Sequence, residues 1–200
     1  VLNRLPDGAR LLDVGVGTAG ALLANAELVR EKRMQVVGVD IDPDYVRQAQ
    51  RRVAQEGLSD LIDVHQCSIL DFEEQGFDAV YFSCSFMLMP DPGKVLEHVQ
   101  TLLKPDGVVY FTQTFEERRA PFIEKLKPLL YKLTTIHFGQ VTYEDEFMKV
   151  VEGAGMNVRE QVRLGRGRAR AGRLVVAVTA EAGAHGSAAR REGSRSASLR

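Results

Sequence analysis

Residues 11–20 read LLDVGVGTAG, a short apolar run that ends in glycines. Gly15, Gly17 and Gly20 fit the G-x-G-x-x-G spacing of a turn between a strand and a helix, where the backbone comes close to a ligand. A helical stretch follows, with Leu22, Leu23, Ala26 and Val29 on one side. The neighbour that complicates the reading is Asp13, two residues before the first glycine. A carboxylate there repels a diphosphate in a cleft of low dielectric and suits a ligand that carries positive charge. Both ligand classes stay open on the glycines alone.

Working outward, strand and helix signals alternate. QVVGVD (35–40) is a second buried strand, and Asp42-Pro43 supplies an N-cap and a proline at the first helical position. Val46, Ala49 and Val53 line that helix until Gly57 ends it. LIDVHQ (61–66) and FDAVYFS (77–83) read as third and fourth strands, Asp91-Pro92 opens another helix, and GVVYFTQT (107–114) is a fifth strand. Continuous apolar strands between amphipathic helices predict a parallel sheet covered on both faces. Residues 117–133 are helical in tendency but broken by Pro121 and Pro128, and Thr142-x-x-Asp145 resembles a capping box. MNVREQV (156–162) and RLVVAVT (173–179) complete the strands. The expected organisation is one domain over 1–180 and a disordered Arg, Gly, Ala and Ser tail over 181–200.

The net charge of −1 hides an asymmetry: residues 159–200 hold ten Arg, no Lys and three acids. Such an end can bind nucleic acid, through the arginines of 163–173, or can be a solvated tail. Cys67 and Cys84 form no metal or disulfide pattern, so the expected compartment is reducing and cytoplasmic. No apolar run approaches the roughly 20 residues that span a bilayer. The chain opens on Val1, and the expectation is a fragment that lacks an N-terminal cap.

Asp40, at the end of the second strand, is placed to accept ribose hydroxyls, which nicotinamide cofactors and S-adenosylmethionine both carry. The two differ in charge. S-adenosylmethionine has no phosphate and presents an ammonium, a carboxylate and a sulfonium, so Asp13 favours it.

At this point LLDVGVGTAG, VVGVDIDPDYV, HQCSILDF, GFDAVYFSCSFMLMPDP and LLKPDGVVYFT, in that order, resemble the class I S-adenosylmethionine-dependent methyltransferases. EDEFMKVVEGAGMNV is similar to that family's penultimate helix and sixth strand, and the likeness spans about residues 5–180. The resemblance implies a Rossmann-like three-layer α/β/α sandwich, whose seven-stranded, mostly parallel sheet has its last strand antiparallel beside the fifth. It also implies ligand contacts. Asp13, Gly15 and Gly17 would line the methionine end, Asp40 would bind the ribose, and Ile41 would pack on the adenine. Ser68 and Ile69 would meet the adenine edge, and Ser83 would face the ligand's amino group. Three residues depart from the pattern: Ala19 where the family often has its third glycine, Ser68 where an acid often meets the adenine amine, and Asp106 in a structural turn.

Methyl transfer is an in-line displacement that needs alignment and exclusion of water more than it needs a base. His137 is the histidine placed for proton transfer, Tyr81 and Glu116 are lesser candidates, and Cys84 is expected to be a buried strand-end thiol. The fourth strand lacks the Asn/Asp-Pro-Pro-Tyr turn of adenine-amine and glutamine methylation, and no acidic cluster with metal-ligand spacing follows it, so no metal is expected. Phe86, Met87, Leu88 and Met89 read either as core or as an apolar pocket for a small-molecule or lipid-like acceptor. The expected function is transfer of a methyl group from S-adenosylmethionine to such an acceptor at O, N or C, with S-adenosylhomocysteine as product. The alternatives are a nucleic-acid methyltransferase using 163–173, an NAD(P)-dependent oxidoreductase, and a cofactor-binding partner subunit without activity.

Overall fold

The computed structural model describes residues 1–116, 142–165 and 170–179. The 117–133 helical stretch and the 181–200 tail read from the sequence lie outside the described residues, as does His137. Seven strands form one sheet in the order β3-β2-β1-β4-β5-β7-β6. They are β1 (Arg10–Val14), β2 (Gln35–Asp40), β3 (Ile62–Gln66), β4 (Phe77–Ser83), β5 (Leu103–Glu116), β6 (Met156–Leu164) and β7 (Arg170–Thr179). Strands β1 to β5 pair in parallel, and β7 inserts antiparallel between β5 and β6. This is the sheet expected from the alternating pattern and the resemblance.

Two hydrophobic layers cover it. One face buries Leu11, Val36, Val64 and Ala79 against Leu22 of α1 (Gly20–Leu23), Val29 of α2 (Ala26–Glu31), and Val46, Ala49 and Val53 of α3 (Pro43–Gln55). The other buries Leu12, Val80, Phe82 and Phe111 against Val95 and Val99 of α4 (Pro92–Leu102) and Phe147 and Val151 of α5 (Glu144–Gly153). On this second face Phe82 stacks on Phe111 at 5.3 Å, and Phe147 meets Phe86, Phe111 and Phe115 edge-on. Aromatic pairs at such distances add to the area term and hold the end of β4 in one place.

The caps form where Asp-Pro predicts them. Asp42 accepts from the amides of Asp44 and Tyr45 at 2.8 and 3.2 Å, and Asp91 accepts from Lys94 at 3.2 Å. Two local expectations fail. The stretch after the glycine turn is not one helix: it breaks at Ala24 and Asn25, and the Asn25 side chain bonds back to the Ala21 carbonyl at 2.8 Å. This is the local competition with the helix that shortens Asn-containing helices. The Thr142-x-x-Asp145 box does not cap α5 either. Tyr143 holds the N-cap position without a side-chain cap, and the Thr142 hydroxyl accepts from Gln113 Nε2 at 3.3 Å.

Candidate active site

The candidate site lies at the carboxyl edge of β1, between the chain leaving β1 and the chain leaving β2, and adjoins the β1–β4 boundary where the order of the sheet reverses. The glycine turn is pinned from below: the amides of Gly15 and Val16 donate to the Val39 carbonyl at 2.8 and 3.2 Å. Gly15 has φ +73°, and a Cβ there would sit 2.6 Å from Ser85 Cβ. Gly17 has φ +55° with open space around it, so its glycine serves backbone conformation alone. Ala19 adopts φ +57°, a left-handed conformation that glycine adopts without penalty and that alanine holds at some cost. Arg52, from α3, holds Thr18 through its carbonyl and hydroxyl at 2.9 and 3.0 Å.

Asp40 joins the two turns. Its Oδ2 accepts from the Gly17 amide at 2.9 Å and its Oδ1 from the Asp42 amide at 3.0 Å. The Gly17 N–H is thus occupied by Asp40, and the carboxylate keeps its remaining lone pairs for further donors.

Asp13 is 2% exposed, and its Oδ1 has no hydrogen-bond partner among the described residues. Burial, and next to it the Asp40 carboxylate, push its carboxyl up to about 7. Two carboxylates at one sheet edge, with no cation beside the buried one among the described residues, make a site that a cation relieves and a diphosphate aggravates.

Ile41, directly after Asp40, is 73% exposed, a costly place for an isoleucine unless a ligand covers it. The Ile69 side chain does not face the crevice. It is buried in the core with Phe72 and Phe77, because a short 3-10 turn over Ile69–Asp71 aims it inward, and Leu70 is the exposed apolar neighbour. Ser68 caps that turn by accepting from the Leu70 amide at 3.2 Å, which leaves its hydroxyl proton to donate.

At the end of β4, Ser83 is half-buried beside Thr112, and the residue the sequence reading missed is Ser85. Its buried hydroxyl donates to the Val14 carbonyl at 2.5 Å and ties the end of β4 to the end of β1. Cys84 is exposed, contrary to the expected buried thiol: it takes φ +59° and turns the chain so that Ser85 faces inward and Cys84 outward. Phe86 belongs to the core, while Met87 and Met89 are half-buried and Leu88 is 59% exposed. The Met89 methyl lies 4.0 Å from the Cβ position at Gly15, which puts an apolar wall beside the glycine turn. Tyr81 shares a hydrogen bond with Thr112 at 2.9 Å, and His98 bonds the Phe72 carbonyl at 2.8 Å. Among the described residues no group of three His, Cys, Asp or Glu converges as for a metal, and no helix is long and apolar enough to cross a membrane.

A family model described as a methyltransferase domain matches residues 5–155. The chain belongs to the class I S-adenosylmethionine-dependent methyltransferase family. Among its relatives are two ubiquinone biosynthesis O-methyltransferases. That of Actinobacillus pleuropneumoniae serotype 5b is 33% identical over 114 residues, covering 52% of this chain and 45% of the relative. That of Xanthomonas axonopodis pv. citri is 33% identical over 150 residues, covering 74% and 59%. This methyltransferase-family chain therefore spans only about half the length of the curated relatives it matches. A solved S-adenosylmethionine-dependent methyltransferase from Aquifex aeolicus superposes with a TM-score of 0.67 at 23% identity, over 87% of this chain and 85% of that one, and shares the fold.

Proposed function

We propose that the chain binds S-adenosylmethionine across the β1–β2 crevice and transfers its methyl group to a small, lipid-like acceptor, leaving S-adenosylhomocysteine. The observation that carries the reading is Asp13: a buried carboxylate with a free oxygen and a raised pKa, set where a cationic ligand enters. An ammonium beside it restores the charged form. The donor's residues would be Asp13 at the ammonium, Gly15 under the methionine chain and Asp40 at the ribose. Ile41 and Leu70 would flank the adenine, with the Ser68 hydroxyl at its edge, and Ser83 would stand at the strand end facing the amino group. The Gly17 amide supports this set through Asp40, and Gly17 would line the methionine end with its backbone.

When bound, the donor supplies an electrophilic methyl on a positively charged sulfur. The chain's task is to align the acceptor lone pair behind that carbon and keep water away. The half-buried Met87 and Met89 and the exposed Leu88 suit an apolar acceptor at that edge. No described residue stands out as a general base, and His137 keeps that role as a candidate. The lipid-like acceptor class also agrees with relatives named ubiquinone biosynthesis O-methyltransferases.

The alternatives lose ground on specific residues. A nicotinamide dinucleotide would set its diphosphate beside Asp13. In the arginine-rich stretch, Arg173 is engaged by Glu144 and Gln161, at 2.5 and 3.1 Å, which takes one cation away from a phosphate-binding surface. The test is transfer of a radiolabelled methyl from S-adenosylmethionine to a panel of phenols, quinols, amines and extracted lipids. Label in an apolar small molecule supports the reading; label in RNA or DNA alone, or in nothing while a longer chain from the same source is active on protein, refutes the acceptor class.

A further inference from the structure

Buried polar side chains are few among the described residues: Asp13, Ser85, Gln113 and Thr142. Two of them converge on Val14. Asp13 precedes it on β1, and Ser85 reaches it from the segment that leaves β4. The Val14–Gly15 peptide is held on both sides. Its N–H, that of Gly15, donates to the Val39 carbonyl at 2.8 Å, and its carbonyl, that of Val14, accepts from the Ser85 hydroxyl at 2.5 Å. A peptide unit is planar, so fixing both polar groups fixes its rotation, and with it ψ of Val14 and φ of Gly15. That φ, +73°, opens the glycine turn. Ser85 also fills the adjacent space: a Cβ at Gly15 would stand 2.6 Å from Ser85 Cβ and 3.0 Å from its Oγ. Ser85 is itself anchored at each neighbour. The Cys84 amide donates to the Thr112 carbonyl at 2.9 Å, and Phe86 is buried against the Phe82, Phe111 and Phe147 rings at 5.2, 4.9 and 5.7 Å. The Ser85 carbonyl accepts from the Leu88 amide at 3.0 Å, which closes the 3-10 turn over Phe86–Leu88. The hydroxyl of one residue thus fastens the glycine turn, and its carbonyl fastens the apolar wall beside it.

We propose that Ser85 is a positioning residue for the amino-acid half of the donor. It acts through the Val14–Gly15 peptide and takes no part in bond making. The inference rests on the function proposed above, which puts Gly15 under the methionine chain. Without the hydroxyl the peptide is held on one side only, and the donor must order it on binding, at a cost in affinity. The effect is confined to one end of the ligand. Ile41 follows β2, and Ser68 and Leu70 follow β3, both strands lying across β1 from β4 in the sheet. A loss at Ser85 therefore reaches the methionine end and spares the nucleoside end. A residue that only holds the fold together would weaken both ends alike.

The test uses the full chain and two probes. S-adenosylhomocysteine carries the amino-acid half, and 5′-methylthioadenosine is the same nucleoside thioether without it. Calorimetry of S-adenosylhomocysteine with the wild type comes first: no binding overturns the donor reading and the proposal with it. Both probes are then titrated into Ser85→Ala, methylthioadenosine by NMR so that weak binding is read. S-adenosylhomocysteine is expected to bind about tenfold more weakly than to the wild type, and methylthioadenosine within about twofold of it. Ser85→Cys, which keeps a side chain of similar length but only a weak S–H donor, should show the same selective loss in smaller measure, and stands in if the alanine variant does not fold. Urea unfolding confirms that each variant is folded under the titration conditions. An S-adenosylhomocysteine affinity unchanged in both variants, or a loss equal for the two probes, overturns the role of Ser85 and leaves the donor reading standing.

Discussion

The Asp40 carboxylate accepts from the Gly17 amide at 2.9 Å, so the acid at the end of β2 is built into the glycine turn it faces. One residue thereby shapes the turn and keeps lone pairs free for a further donor. Asp40→Ala is expected to weaken S-adenosylhomocysteine binding by roughly 1 to 3 kcal/mol, through lost charge-assisted bonds and a looser turn. Calorimetry checks it; an unchanged dissociation constant removes Asp40 from the site.

The two positive-φ glycines of the turn should respond differently to a methyl group. Gly15→Ala meets both the left-handed backbone and the Ser85 contact at 2.6 Å, and should cost about 2 to 4 kcal/mol. Gly17→Ala meets open space and should cost about 1 kcal/mol. Urea unfolding of the two variants distinguishes them, and equal costs would contradict the close approach at Gly15.

Asp13 should make the free protein less stable as pH rises. Its folded-state pKa is about 7 against an ordinary 3.8, so the folded chain holds more protons than the unfolded chain between those values. Stability contributed by the protonated form is therefore present at acid pH and lost as pH climbs toward and through 7. Asp13→Asn removes that loss. The variant should gain stability over wild type on the order of a few kcal/mol at pH 8, and less at pH 5. Denaturant melts at the two pH values give the difference; a gain no larger at pH 8 than at pH 5 would show that Asp13 does not titrate in this window.

The same group should tie ligand affinity to pH with the opposite sign. An ammonium gains from Asp13 only when the carboxyl is ionised, so S-adenosylhomocysteine should bind more tightly as pH is raised from about 5.5 to about 7.5. Asp13→Asn should bind weakly across the range with little slope. A slope equal to that of wild type in the variant would assign the effect to another group.

Much of this was legible in the chain itself. The strands are continuous apolar runs, the Asp-Pro pairs open α3 and α4, and Asp13 and Asp40 stand at strand ends that a parallel sheet brings together. What escaped depends on single backbone torsions or on strand register. Ser85 reaches β1 because Cys84 turns left-handed, and nothing in S-C-S announces a positive φ at a cysteine. Ile69 turns into the core and leaves Leu70 exposed because of the short 3-10 turn over Ile69–Asp71. Gln113 meets Arg173 and Thr142 only after β7 inserts beside β5 in one particular register, and that meeting also dissolves the capping box read at Thr142.

Calorimetry on the unmodified chain at about pH 7.5, a value above the Asp13 midpoint, with S-adenosylmethionine, S-adenosylhomocysteine and NADH in parallel, bears most directly on the nature of the crevice. One equivalent of each adenosyl thioether should bind, and NADH should not compete with them. Saturable binding of NADH with no response to either adenosyl compound would contradict a site built around a buried carboxylate for a cationic nucleoside.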